Sequence, residues 1–413
     1  MTLKKIAYRN IWRNLRRTIL CIAAVGIAVF FNIFMQSMMD GMIKGIEDVV
    51  RVFDTGHVNV VSSLFEEDKE YYPVQFPVAD GRSTGELIRE IEAVPGVKAV
   101  LPRINAYATL SDSLIKHAFL WGIDIDREKE INNFNLTDRS DGLVTGRYPQ
   151  KGSNECAIGV YMAKKAGLAI GDRIPLKVVS AQFSDKYWSP EIVGIFEYDY
   201  RKYDEQVIMV SFDRLQKLLV LDEGTQQLFI YADNEKDTRN IAGKVKALLG
   251  DGNVIREWQD NYWVVVMQQS TIIFVIIFLV FQIVASFLII NTVVMIIHER
   301  IKEIGMMGAL GMTRSEIVMV FFFEAVFLSI IGSLAGCIVG GLSTWIGSFF
   351  PISFDTFTGG GLKEFPMAGT IFLNFSPVYI VQGFLFGVII SAICTIIPSL
   401  KSAFIEPVEA LRR

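Results

Sequence analysis

Histidine and cysteine are scarce in this chain, three and four residues out of 413. No CxxC and no Cys/His cluster occurs, which argues against a zinc site. Cys156 stands alone in the polar middle, so that region cannot close an internal disulfide, while Cys21, Cys337 and Cys394 sit in apolar runs as small packing residues. Acidic residues are missing from Met1 to Met39, where Lys4, Lys5, Arg9, Arg13, Arg16 and Arg17 all occur. A net charge of only −4 implies no general attraction to nucleic acid. Catalytic patterns are lacking too: there is no GxSxG elbow, no HExxH and no GxxxxGK[ST]. The Gly-Lys stretch IAGKVKALLG lacks the spaced glycine and the Ser/Thr of a phosphate loop. Asp124 and Asp126 in WGIDIDRE read as a solvated turn, with no further oxygen ligands behind them. No enzyme activity, metal or cofactor is expected of this chain.

What the chain has in abundance is apolar residues, 51% of the total, with a mean hydropathy of +0.37. That balance fits a membrane protein with a sizeable soluble part. A bilayer needs about 20 apolar residues as helix, and four segments qualify: 19–39, 271–297, 318–350 and 378–397. The first is too long for a cleaved signal and lacks a small-residue cleavage site, so it reads as an uncleaved anchor preceded by an amphipathic N-terminal helix at 1–18. Lys and Arg crowd the N-terminal tail, the link at 298–317 and the tail at 398–413, whereas the loop at 351–377 has only Lys363. Both termini and the link therefore face the cytoplasm, and residues 40–270 lie outside.

The third apolar run carries Gly332, Gly336 and Gly340, and the fourth Gly383 and Gly387, spacings that let helix backbones approach closely. Glu324 falls about two turns into the third run, where pairing with a basic residue near the cytoplasmic surface accounts for it.

From His57 onward the pattern is that of an α+β domain with two subdomains, one porter-like and one β-rich. HVNVVSSL alternates as a strand, TGELIREIEAV reads as a helix and VKAVLPRI as a strand. ECAIG, IPLKVV, EIVGIFE, QVIMVSF and QQLFIYA read as further strands, with helices at 160–166, DRLQKLL and KDTRNIAGKVKALLG. Heptad-like apolar positions continue through GMIKGIEDVVRVF after the first span and through REWQDNYWVVVMQQ before the second. These are stalks: about forty helical residues reach roughly 60 Å.

YRNIWRNLRRTIL, the link ERIKEIGMMGALGMTRSEI, the closing EPVEALRR and the four-span layout resemble the FtsX-like ABC transporter permeases of the mechanotransmission kind (type VII) along the whole chain. WGID, GLVTGRYP, ECAIGVYMAKKAGLAIGD, EIVGIFEYDYRKYDEQVIMV and FDRLQKLL are most similar to the lipoprotein-releasing members. The resemblance implies a bacterial inner-membrane, multi-pass permease that dimerises with a second protomer and binds no nucleotide. A cytoplasmic ABC ATPase dimer would hold ATP and Mg, and its closure would move the outer domain.

It further implies a coupling helix at Glu299, Arg300, Glu303, Ile304, Gly305, Met306, Met307, Gly308, Leu310 and Gly311. Gly308 stands where relatives carry a basic residue, so docking leans on Met306 and Met307. A candidate acyl-chain pocket comprises Phe30, Phe31, Phe34, Met35 and Met38 of the first span with Phe278, Phe281 and Ile289 of the second; the same residues also suit a bundle core or a lipid-facing surface. AQFSDKYWSP, with Phe183, Tyr187 and Trp188, is a candidate partner hairpin toward a periplasmic carrier, shorter than a full hook. Lipoprotein extraction from membrane lipid is the function implied; MacB-like export of peptides, antibiotics or toxins, FtsX-like control of a cell-wall hydrolase, and a membrane-anchored sensor are the alternatives.

Overall fold

A computed structural model of the chain describes residues 15–67, 73–78, 81–110, 117–132, 142–198, 200–299, 301–350, 352–353 and 370–403. Residues 1–14 of the amphipathic helix expected at 1–18, most of the 351–377 loop and the tail beyond 403 lie outside the described residues. The chain forms two compact units, one of Met1–Met42, Gln269–Ile352 and Phe372–Arg413, the other of Ile43–Gln268 and Ser353–Ile371.

The first unit is helical. Among the described residues three helices are long and apolar enough to cross a membrane, at Thr18–Thr55, Arg314–Phe349 and Pro377–Ile396. The span expected at 271–297 falls within one unbroken helix, Tyr262–Glu299, whose described apolar part is Tyr262–Ile277.

Glycine decides how these helices pack. The helix Leu15–Val49 buries Cys21, Val25, Val29 and Ile33, one residue every four, so they form a single stripe. Opposite it lie the predicted glycines. A Cβ on Gly336 would sit 2.5 Å from the Gly26 carbonyl oxygen, and one on Gly340 would press on Ile33. Gly332 receives Val25, Gly383 receives Ile33 and Gly387 receives Val29. Backbone-to-backbone approach of this kind gains dispersion contacts that no larger residue allows. Glu324 is buried, 5% exposed. At the far end of the first helix Ser37 Oγ donates to the Asn374 carbonyl at 2.9 Å, and Asn374 Nδ2 donates to Asp40.

The second unit is an α+β domain on one sheet. Its strands are β1 (Val58–Ser62), β2 (Val97–Leu110), β3 (His117–Ile123), β4 (Leu143–Gly146) and β5 (Glu155–Gly159). They continue with β6 (Leu176–Val179), β7 (Asp185–Trp188), β8 (Glu191–Phe196), β9 (Val207–Ser211), β10 (Gln227–Ala232) and β11 (Asn253–Glu257). The order is β11-β1-β10-β2-β3-β9-β5-β8-β4, with β6 and β7 extending from β2. β1 and β2 both pair antiparallel with β10. They therefore run parallel to each other, with the helix Thr84–Glu92 in the crossover between them.

Two expectations change here. The porter-like and β-rich subdomains are two halves of a continuous sheet, because the 14-residue β2 pairs with β10 through residues 97–103 and with β3 through 103–109. β1 does not alternate: all five residues are buried. Val58 and Val60 pack with Leu87 and Ile91 of the helix Thr84–Glu92 and with Ile241 and Val245 of the helix Thr238–Leu249, while β10 and β11 pair with its two edges.

The stalk leading to the second span is also shorter than the pattern suggests. Arg256 and Glu257, where that pattern starts, belong instead to the edge strand 253–257, which pairs antiparallel with β1. The helix begins only at Tyr262, where the Asn261 side chain accepts from Trp263 N–H at 2.9 Å as an N-cap.

Candidate functional site

The link between Tyr262–Glu299 and Arg314–Phe349 is a nine-residue helix, Ile301–Ala309. Gly311, at φ +92°, turns the chain in a conformation that favours glycine. Thr313 and Glu316 then cap the next helix reciprocally: Thr313 N–H donates to Glu316 Oε2 at 2.8 Å and Glu316 N–H to Thr313 Oγ1 at 3.4 Å.

The four apolar residues expected on this helix divide. Met306 and Leu310, one turn apart, are 51% and 87% exposed. Met307 packs instead against Ile317 and Phe321 of the following helix. Arg300 and the side chains of Glu299, Glu303, Ile304, Gly305 and Gly308 lie outside the described residues.

On the first helix, Phe31, Phe34 and Met38 fall on the face opposite Val29 and Ile33, with Phe30 and Met35 at its flanks, and all five are half-buried. Phe30 and Phe34 stack at 5.8 Å. The side chains of Phe278, Phe281 and Ile289 are outside the described residues, so the second wall of the candidate acyl-chain pocket is not among them.

AQFSDKYWSP forms a plain hairpin between β6 and β7, paired Leu176↔Trp188 to Val179↔Asp185. Phe183 at its tip is 76% exposed and Tyr187 74%. Trp188 is not presented outward. It is 6% exposed, its Nε1 donates to Asn154 Oδ1, and Arg214 lies over its ring. Only Phe183 and Tyr187 of the three hairpin candidates are available to a partner.

Asp124 accepts from Arg127 N–H at 3.4 Å and lies 3.8 Å from Lys151 Nζ. Arg147 of GLVTGRYP forks onto Glu155 of ECAIG with bonds of 2.8 and 2.6 Å, which hold the Glu155 carboxyl down at about 2. Burial pushes the Cys156 thiol up, as suits a packing residue.

One cluster has no counterpart in the sequence reading. The helix Leu15–Val49 continues as a π-helix, Val50–Thr55, which ends at Gly56 (φ +66°) with Gly56 N–H donating to the Arg51 carbonyl at 2.9 Å. The domain grips this segment from four places. Arg103 Nη2 of β2 donates to the Val52 carbonyl at 3.0 Å. Tyr231 Oη of β10 donates to the Arg51 carbonyl at 3.0 Å. Tyr203 Oη donates to Asp54 at 2.5 Å. Phe53 is wedged among Trp121, Tyr198 and Tyr203, with ring centroids 4.9–5.5 Å away.

Arg103 is itself fully buried. Its guanidinium carbon lies 4.4 Å from the Trp121 ring centre and 4.6 Å from that of Phe229, and Nη2 is 2.6 Å from Glu128 Oε1. Burial raises the Glu128 pKa while the Arg103 charge opposes the rise. Asn132 Nδ2 steadies the carboxylate by donating to Glu128 Oε2 at 2.7 Å. The signal for this cluster was a charge set among apolar residues in mid-strand, Arg103 in AVLPRI. WGID, GRYP and FEYDYRKY supply Trp121, Tyr148, Phe196, Tyr198, Tyr200 and Tyr203 to the core around Phe53.

Residues 18–248, more than half of the chain, match the MacB-like periplasmic core domain, and residues 272–407 match the FtsX-like permease C-terminal domain. The chain belongs to the FtsX/MacB-like permease family. This permease is 22% identical over 340 residues to the lipoprotein-releasing system transmembrane protein LolC of Xylella fastidiosa (strain 9a5c), covering 77% of this chain and 78% of that one. It is 30% identical over 123 residues to the macrolide export ATP-binding/permease protein MacB of Mannheimia succiniciproducens, covering 30% of this chain and 16% of that one. Among solved structures, the extracellular domain of the noncanonic ABC-type transporter YknZ from Gram-positive bacteria aligns at a TM-score of 0.31 and 14% identity, over 44% of this permease and 97% of that chain.

Proposed function

We propose that this permease is the four-span membrane subunit of an ABC transporter that extracts lipoproteins from the bacterial inner membrane. In this reading both termini and the helix Ile301–Ala309 face the cytoplasm and the α+β unit faces the periplasm. A separate ATPase dimer, which would hold ATP and Mg, docks on Met306 and Leu310. Lipid-borne substrate meets the Phe31/Phe34/Met38 face of the first helix, and a second permease protomer completes the passage. Phe183 and Tyr187 offer a periplasmic carrier an aromatic contact.

The observation that carries the reading is the extent of the LolC likeness, about three quarters of both chains. The test is ATP-dependent release. The complex in nanodiscs, loaded with a triacylated lipoprotein and supplied with carrier, should free it faster with ATP than without; equal release would end the proposal. MacB-like export is the second reading, favoured by the core-domain match and by 30% identity over a shorter stretch. It predicts that the same complex instead moves soluble peptide or macrolide.

A further inference from the structure

The π-helix Val50–Thr55 stands where the first long helix becomes the sheet domain, and its surroundings are unusual in kind. A π turn is rare, and it widens the helix so that backbone carbonyls are offered to groups outside the ladder. Here the Arg51 and Val52 carbonyls accept from Tyr231 Oη and Arg103 Nη2. The two donors stand on neighbouring strands, β10 and β2, which pair at the centre of one half of the sheet. Phe53 and Asp54 are caught by the aromatic groups of the other half, Trp121 on β3 with Tyr198 and Tyr203. Four consecutive residues of the helix end, Arg51 to Asp54, are thus fastened to both halves of the sheet at once.

Arg103 is the central fastening. Burying an ion pair is costly, and an apolar pair of the same size is often as stable or more so. The buried Arg103–Glu128 pair is therefore poorly explained as a stabiliser. What an apolar substitute cannot do is hold a backbone carbonyl in register. Trp121 and Phe229 fix the guanidinium plane, and Nη2 reaches both the Glu128 carboxylate and the Val52 carbonyl.

We infer that Arg103 is a positioning residue for force transmission: it locks the π-helical foot of the first helix to the sheet, so that axial movement of the helix moves the whole domain. The inference rests on the proposed reading that ATP-driven motion travels along this helix. Arg103 acts through Val52 and touches no substrate.

The experiment uses the full permease with its ATPase in nanodiscs. The variant is Arg103→Met with Glu128→Leu, which removes the grip while leaving no unpaired buried charge. Spin labels at Lys44→Cys on the helix and Lys246→Cys on the domain report the joint directly, both sites being exposed and all four native cysteines buried. The wild-type labels should give one narrow distance distribution, unchanged by ATP and vanadate, and the double variant a broad one. Lipoprotein released per ATP hydrolysed should fall about tenfold, within the usual range of intersite coupling, with ATP turnover retained. Tyr231→Phe, which keeps the ring and loses one carbonyl contact, should fall in between. A double variant whose label distances stay as narrow as those of the wild type overturns the inference, whatever its release rate. Loss of ATP-dependent release already in the wild type overturns the release reading, and the label distances then decide the joint alone.

Discussion

Arg103 Nη2 and Glu128 Oε1 lie 2.6 Å apart with both side chains wholly excluded from solvent. Such a pair has an asymmetric energy. Removing either partner strands a charge and costs about 3–5 kcal/mol, whereas replacing both by apolar groups is close to neutral. Arg103→Met and Glu128→Leu should each lower the thermal unfolding midpoint of the detergent-solubilised permease strongly, and the double variant should recover most of the loss. Additive losses in the double variant would mean that the two charges are solvated independently of each other.

Two helical glycines, Gly336 of the apolar stripe and Gly243 of the sheet domain, give predictions of opposite sign. Gly336 faces Gly26 with no room for a side chain, so Gly336→Leu should separate the helices and cost about 1–3 kcal/mol or more as overpacking. Gly243 lies exposed in the helix Thr238–Leu249 with nothing within 4 Å of an added Cβ. Gly243→Ala should stabilise by about 1 kcal/mol through helix propensity alone. Melting curves of both variants beside the wild type check the two signs together.

Much of this architecture is legible in the sequence because it depends on local pattern. The stretch around 160–166 ends at Gly167, which is helical up to that αL cap as the composition indicates. The glycines at 332, 336 and 340 contact another helix because spacing by four puts them on one face. Long-range pairing is what the pattern hides. Arg256 and Glu257 look like the start of a stalk until β1 is seen to claim their backbone. β1 itself is buried throughout, and Ile241 and Val245, about 180 residues later, share the core that holds Val58 and Val60. Trp188 in KYW reads as a surface aromatic, yet the hairpin's register turns it inward to Asn154. The π-helix cannot be told from the α-helix before it, since VVRVFDT has no residue that breaks an α pattern; the donors that select it arrive from Arg103, Tyr203 and Tyr231.

His57 supplies a pH dependence. Burial, followed by the nearby Arg51 charge, lowers its pKa below the usual 6.5, and its Nδ1 accepts from Ala232 N–H at 2.9 Å, which requires that nitrogen to be unprotonated. The unfolded chain therefore binds this proton more readily than the folded one. The stabilising contribution is complete above about pH 6.5 and is lost as pH falls through the lower, folded pKa. Hydrogen exchange of the β10 amides, corrected for intrinsic rates, should show Ala232 losing protection below pH 6.5 ahead of Leu228 and Ile230. His57→Phe should remove the pH dependence, and a wild-type profile parallel at all three amides would contradict it.

Met306 and Met307 are adjacent and both apolar, but the structure gives them different work. Met306 on the short helix and Leu310 just past its end present an uncovered apolar pair, while Met307 closes against Ile317 and Phe321. If the ATPase docks on this helix, truncation should separate the two functions. Met306→Ala with Leu310→Ala should leave the permease's melting temperature within error, because exposed side chains contribute little to the fold. The same pair should weaken binding of the ATPase by about 2 kcal/mol or more, roughly thirtyfold, as expected for anchors at the centre of an interface. Met307→Ala should do the reverse. It opens a space beside Phe321 and lowers the melting temperature, by an amount set at about 2 kcal/mol for a half-buried methionine, with ATPase affinity changed only as far as the helix loosens. Affinity measured by titrating labelled ATPase onto permease nanodiscs, beside melting curves of the same samples, separates the cases. Equal loss of affinity from both substitutions would place the contact on another face of the helix.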